Sequence, residues 1–165
     1  MDVRSRVLRG GVVLVICAGF MVYNNPIRFH QTAQAGGLTM QVPFTWTPTK
    51  IPGNFFTISL RREWSPYLQW GTVSVSSRGS GSWTMEAARK MQVGDVAYKS
   101  KVAFYSNTSA FDLKAGDRTA VCSESTFGDK SRTLNCTIVD TPLQLYFSGS
   151  RSAELDAERM LASLN

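Results

Sequence analysis

Apolar and polar residues alternate in two stretches of this chain. In Phe55–Leu60, Phe56, Ile58 and Leu60 fall on one side and Phe55, Thr57 and Ser59 on the other. In Trp70–Ser76, Gly71, Val73 and Val75 oppose Trp70, Thr72, Ser74 and Ser76. A period of two predicts half-buried β-strands. Leu38–Val42 is a further strand candidate, closed by Pro43, and 43–54 reads as irregular because Pro48, Pro52 and Gly53 break it. The small-residue run Ser76–Ser82 reads as a connector. Ser82 is placed to cap a helix over Trp83–Gln92, with Gly94 ending or loosening it. Lys101–Ser106 and Ala110–Leu113 are weaker strand candidates. A meander follows: Arg118–Phe127, Ser131–Asp140 and Leu143–Ser148, separated by Gly128-Asp129-Lys130 and by Thr141-Pro142. Ser152–Leu164 has helical spacing at Ala157, Met160, Leu161 and Leu164. Its early turns carry Glu154, Asp156 and Glu158, where the helix dipole favours negative charge. Strands, helix, strands, meander and terminal helix predict an α+β fold, an antiparallel sheet flanked by helices.

The first 23 residues follow a different pattern. Arg4, Arg6 and Arg9 precede an uncharged apolar run, Gly10–Tyr23. Cations before such a run form an export signal or a membrane anchor, with the cationic side cytoplasmic. Val7–Tyr23 spans 17 residues, about 26 Å of helix against a hydrocarbon core of about 30 Å. One thin transmembrane helix is feasible if Arg9 snorkels and Tyr23 sits at the far interface. Cleavage near Ala33-Gln34-Ala35 and a lipid on Cys17 are the alternatives. The expected organisation is an anchor over 1–23, a tether over 24–37 and an extracytoplasmic domain over 38–165. The expected location is a bacterial inner membrane, single-pass, with the N-terminus cytoplasmic and the domain periplasmic.

Charge adds little. The net charge is +6, and three of the arginines belong to the N-terminal segment. No basic stripe is visible, so no nucleic-acid partner is expected. A mildly basic face still suits anionic headgroups or an acidic partner.

Cys17 lies in the apolar run, and Cys122 and Cys136 lie in the two arms of the predicted hairpin. If Gly128–Lys130 closes that hairpin, Phe127 pairs with Ser131 and Cys122 falls opposite Cys136. The same register sets Arg118 beside Asp140 and Ala120 beside Ile138. Directly opposed residues lie about 4.5–5.5 Å apart at Cα, within disulfide reach. A structural disulfide between Cys122 and Cys136 is the expectation, in keeping with an oxidising compartment. A redox centre would use a close Cys-x-x-Cys pair. Two free buried thiols are the alternative if the domain is cytosolic.

Candidate chemistry is sparse. His30, the single histidine, falls in the tether, which removes most histidine-dependent acid–base and metal schemes. Gly79-Ser80-Gly81 lacks the nucleophile elbow. Glu63, Glu86, Asp95, Asp112, Asp117, Glu124 and Asp129 are scattered and read as solvated charge, as do Lys99 and Lys101. Asn107-Thr-Ser and Asn135-Cys-Thr match the glycosylation acceptor, which matters only in a eukaryotic secretory route. The expectation is a non-enzyme with no catalytic residues, no metal and no cofactor. The aromatics are more informative: Phe44, Trp46, Phe55, Phe56, Trp64, Tyr67 and Trp70 crowd the first third of the domain. The stretch from Arg61 to Tyr67 reads as a loop between strands. An aromatic loop containing arginine is the usual composition of a protein contact or a membrane-interface anchor. Arg61, Arg62, Trp64, Tyr67 and Trp70 are therefore the candidate contact set. A role for Trp64 as a lid on the core fits equally well.

The order of elements is similar to that of the PsbP-like superfamily, which includes the extrinsic lumenal subunit of photosystem II and a nuclear Ran-binding protein. Its members often open with a strand and a Pro-x-x-Trp turn, and Pro43-Phe-Thr-Trp46 matches that pattern. Their packed C-terminal helix resembles Ala153–Leu164, so the likeness covers Leu38–Leu164. It implies an α/β/α sandwich that docks on larger assemblies and has no shared catalytic set. The N-terminal anchor and the hairpin cysteines depart from the pattern. The expected function is that of a non-catalytic, membrane-anchored accessory subunit. Its partners would be the bilayer and an integral membrane protein complex, photosynthetic or respiratory. The alternative is a periplasmic binding module for a small apolar or lipidic ligand between sheet and helix.

Overall fold

The structure, a computed structural model, describes residues 30–35, 37–43, 45–48, 56–62, 70–77 and 81–165. The expected anchor over 1–23, Cys17, Trp64 and Tyr67 lie outside the described residues. No helix among the described residues is long and apolar enough to cross a membrane.

The elements run β1 (His30–Ala35), β2 (Leu38–Pro43), β3 (Thr47–Pro48), β4 (Phe56–Arg62), β5 (Gly71–Ser77), α1 (Met85–Lys99), β6 (Tyr105–Ala115), β7 (Arg118–Phe127), β8 (Arg132–Ile138), β9 (Leu143–Gly149) and α2 (Arg151–Ala162). Seven strands form one antiparallel sheet in the order β3-β4-β5-β9-β8-β7-β6, and β1 and β2 form a separate ribbon. The sheet is two-faced because its strands alternate. One face presents Val73, Val75, Ala120, Cys122, Leu134, Cys136, Ile138, Leu143, Leu145 and Phe147 to a single core. Ala153, Ala157, Met160 and Leu161 of α2 fill that core, joined by Met40 and Val42 of the ribbon. Each large side chain buried there contributes about 1.5–3 kcal/mol. The opposite face carries α1 over a small cluster of Met85, Ala88, Val121 and Val139.

Trp46 locks the ribbon to α2. Its N–H donates to the Pro43 carbonyl at 2.9 Å, closing the Pro-x-x-Trp turn. The ring is fully buried. Its Nε1 donates to Asp156 Oδ2 of α2 at 3.2 Å. Gly71 makes room for the ring, since a Cβ there would lie 2.9 Å from Trp46 Cη2 and 2.7 Å from Ala153 Cβ. Below α2, Asn165 exchanges two backbone hydrogen bonds with Thr39, both 3.0 Å. Gly116, at φ +63, lets the Leu164 carbonyl pass: an added Cβ would lie 1.7 Å from that oxygen.

The hairpin β7–β8 has the expected register. Cys122 lies opposite Cys136 and Ala120 opposite Ile138. Phe127 N–H donates to the Ser131 carbonyl at 2.8 Å. The two cysteines form a buried disulfide with a Cα–Cα distance of 4.0 Å. Arg118 does not meet Asp140. The regular pairs stop at Ala120–Ile138, Asp140 turns away at φ +62, and Arg118 pairs with its neighbour Asp117 at 3.1 Å.

Other expectations are corrected. The segment 24–37, expected as a tether, contains β1, which pairs along its whole length with β2. An edge strand of polar residues leaves no apolar alternation to read. Thr47 and Pro48 pair with β4 inside the stretch expected to be irregular. Thr84, not Ser82, caps α1, accepting from Ala87 N–H at 3.2 Å. Trp83 is excluded from the helix because it bridges to Val139 and bonds to Thr141 and Asp140. The helix runs through Gly94 to Lys99. A helical glycine costs about 1 kcal/mol, and the buried contacts of Gln92 and Lys99 on either side offset it. The two weak strand candidates are one strand, β6, with a bulge between Ser106 and Ser109 and Asn107 at φ +50. The bulge breaks the alternation that would have joined them.

Two stability changes are expected. Asp156→Ala leaves the buried indole N–H unpaired and lowers the unfolding free energy by about 1–3 kcal/mol. Asp156→Asn, which keeps an acceptor, costs less, and chemical denaturation measures both. Replacing Cys122 and Cys136 together by alanine removes a loop constraint of about 3 kcal/mol, read as a lower denaturant midpoint in oxidising buffer and no difference from wild type in reductant.

Candidate functional site

The candidate contact set falls at one end of the sheet. Arg61 lies opposite Thr72, and Arg62 lies opposite Gly71. Both arginines extend β4 instead of starting a loop, because β5 reaches far enough to pair with them. Gly71 pairs with Gly149 of β9, and Gly149 with Arg132 of β8, so one row crosses four strands. Trp70 precedes β5 and is 46% exposed. Its carbonyl accepts the Ser150 N–H at 2.9 Å, which ties it to the start of α2. Gly149 allows this approach, since a Cβ there would lie 2.5 Å from the Trp70 oxygen. The same end holds Pro43, whose turn carries Trp46 against Gly71, and His30, paired with Pro43. The structure thus brings together Arg61, Arg62 and Trp70 of the expected set. Trp64 and Tyr67 lie outside the described residues.

Beside that row, charge is buried. Glu154 in the first turn of α2 is fully buried, with Arg132 Nε at 3.3 Å and the Arg151 guanidinium in direct contact. Arg132 reaches on to Glu124 at 3.0 Å, and Ser109 donates to Glu124 at 3.0 Å. Glu158, one turn further along α2, has its carboxyl pushed above the usual range by burial, with a smaller contribution from Glu154. Glu124 therefore departs from the expectation of scattered, solvated carboxylates. Arg132 is its diagonal neighbour across the β7–β8 hairpin, so the pairing follows from the hairpin register. Glu154 is matched by two guanidiniums, and the one from Arg132 fixes the first turn of α2 to β8.

The face of the sheet opposite α2 is largely polar in its central strands, apart from Val121 of β7 under α1. Thr72, Ser148, Thr133 and Ser125 form one cross-strand row. Ser74, Tyr146, Asn135 and Ser123 form the next, and Ser76, Gln144 and Thr137 a third. Every side chain in these rows bears a hydroxyl or an amide. Helix α1 covers the side of this face nearer β6, β7 and β8. Under it, Gln92 and Gln144 both donate to Thr137 Oγ1, at 2.8 and 3.1 Å. Ser123 donates to Asp95, and Lys99 pairs with the same carboxylate at 2.7 Å. Lys99 also lies 5.6 Å from the centroid of the Tyr105 ring. It is buried, against the expectation of exposure, because its (i, i+4) partner and the ring both hold it down. Tyr146 emerges from the uncovered part, 44% exposed. Burial pushes its phenol up, and Tyr105 adds to the effect, while a hydrogen bond with Ser148 opposes it. Several of these polar side chains are themselves buried, among them Ser123, Ser125, Thr133, Thr137 and Gln144. Alternation in Trp70–Ser76 already showed Thr72, Ser74 and Ser76 on one side. The same period in Arg132–Ile138 and Leu143–Gly149 is the signal that extends the polar face.

Among the described residues, no three His, Cys, Asp or Glu side chains are grouped to hold a metal ion.

A scan against protein-family models and a search of curated proteins find no match. Among solved structures, the fold is similar to cyanobacterial PsbP (CyanoP) from Synechocystis sp., at 12% identity and a TM-score of 0.56. That likeness covers 83% of this chain and 92% of that one. A protein of Bacteroides thetaiotaomicron aligns at 14% identity and a TM-score of 0.49 over 80% of this chain, which spans 46% of that protein. With its antiparallel sheet between two helices and its Pro-x-x-Trp turn, the chain has a PsbP-like fold.

Proposed function

We propose that this chain is a non-catalytic accessory subunit of a membrane protein complex. Residues 1–23 hold it in a bacterial inner membrane as a single span, and the folded domain works from the periplasmic side. There it docks on a larger photosynthetic or respiratory assembly and stabilises it. The observation that carries this reading is the gathering of His30, Arg61, Arg62 and Trp70 at one end of the sheet. The apolar run Gly10–Tyr23 precedes His30 in the sequence, and His30 lies at the end of the sheet that holds the contact set. Exposed tryptophan with arginine is the composition of interface hot spots. The PsbP-like fold is consistent with an accessory, non-catalytic role.

An open cleft of about 370 Å³ between α1 and β6 favours a second reading, a binding module for a small apolar or lipidic ligand. Val93, Ala110, Phe111 and Val121 line it, with Arg89 and Asp112 paired at 2.8 Å at its margin.

Purification of the full chain in several mild detergents separates the readings. The accessory role predicts co-migration with partners of constant composition on native gels. Trp70→Ala should weaken recovery of the complex about ten-fold, as loss of an aromatic anchor does, without changing the melting temperature. Recovery of the chain alone in every detergent overturns this role. A small molecule retained in native mass spectra then supports the second.

A further inference from the structure

The end of the sheet that holds Arg62 and Trp70 has a second corner, built from the last turn of α1, the connection to β6 and the tip of the β7–β8 hairpin. Tyr98 and Phe104 are exposed there at 67% and 66%, and Phe127 is exposed beside them. Phe127 lies tilted against Phe104 at 6.1 Å between centroids and meets Tyr105 edge-on at 5.3 Å. The rings hold one another in place, so the apolar surface is preformed. Lys101 and Lys130 flank it, both exposed. Asp129, the exposed acidic residue of the tip, is held in its charged form by hydrogen bonds from Ser131, whose N–H donates at 2.8 Å, and so offsets part of the Lys130 charge. Asp95, nearby, is matched by Lys99.

We infer that this corner is a contact for the surface of an anionic bilayer. The inference rests on the membrane-held reading above and adds to it a lipid-binding surface on the folded domain. Three features select a lipid surface as the occupant. Aromatic rings beside lysines are the composition of membrane–water interfaces, where the rings sit at headgroup depth and the cations meet phosphate. The corner presents rings and cations together, which complements a surface that is apolar beneath and negative above. The corner also faces the bilayer if the chain enters the domain at His30. β6 begins at Tyr105 and β7 ends at Phe127, on the row side shared by Arg132, Gly149, Gly71 and Arg62. His30 and Pro43 lie at that side too. Trp70 and the aromatic corner then form two feet, one under β5 and one under the β6–β7 side.

The test uses the full chain with vesicles of phosphatidylcholine alone or with one third phosphatidylglycerol. Flotation reports the span, and hydrogen–deuterium exchange of residues 98–105 and 126–131 reports the corner. The expected result is flotation with both vesicles and slower exchange in these two segments with phosphatidylglycerol only. That protection should fall about five-fold for each of Lys101→Gln and Lys130→Gln, the electrostatic share of one lysine near an anionic surface. Phe104→Ala should abolish it. If any variant fails to fold by circular dichroism, the comparison of the two vesicles with the native chain decides. Flotation with identical exchange on both vesicles overturns the corner and leaves the span standing. Failure to float with either overturns both. Protection that appears only with added membrane proteins assigns the corner to a protein and overturns the lipid contact.

Discussion

The hydrogen bond from the Trp46 indole to Asp156 joins parts of the chain 110 residues apart. One partner comes from a tight turn after the ribbon, the other from the terminal helix, and the ring between them lies on a glycine of β5. A buried indole N–H without an acceptor would cost more than the bond contributes. The pair therefore specifies how α2 lies as well as holding it there. Arg132 of β8 performs the same task at the start of the helix, through the Glu154 carboxylate, which has no access to water. The core around them is mostly aliphatic, with Phe147 and the Cys122–Cys136 bridge among its members, and apolar packing is not directional. These polar contacts select one position for the helix.

With α2 seated on one face, the opposite face packs α1 over a small apolar cluster and holds hydroxyls and amides in ordered rows. α1 sits on that face through glutamine, threonine, serine and an Asp–Lys pair, with few apolar contacts. Such a seat is directional and leaves the β5–β9 side of the face open around Tyr146. The molecule thus has one side built for cohesion and another that offers contact.

What could be read in advance follows the range of the interactions. β5, the β7–β8 hairpin with its register, and α2 were legible because alternation, turn residues and helical spacing are local. The disulfide was legible because the register puts Cys122 and Cys136 in one pair. β1 was not, since its polar residues are held by pairing with β2 and no apolar face marks it. The start of α1 was displaced because Trp83 is claimed by Val139, Asp140 and Thr141, more than fifty residues downstream. Lys99 looked solvated because its ring partner Tyr105 belongs to the next strand. Of the contact set, the chain positions of Arg61 and Arg62 were seen without the strand that aligns them with Trp70. The aromatic corner was missed because Tyr98, Phe104 and Phe127 converge only after β6 folds beside β7.

The bridge between Cys122 and Cys136 has a consequence for quality control. A slip of one residue between β7 and β8 would move every side chain of one strand to the wrong side and set Cys122 against Asn135 or Thr137. Oxidation within the hairpin thus requires correct alignment, and the bond, once formed, forbids later slippage. The crosslink acts as a covalent checkpoint: a chain that has passed it carries a permanent record of proper strand alignment.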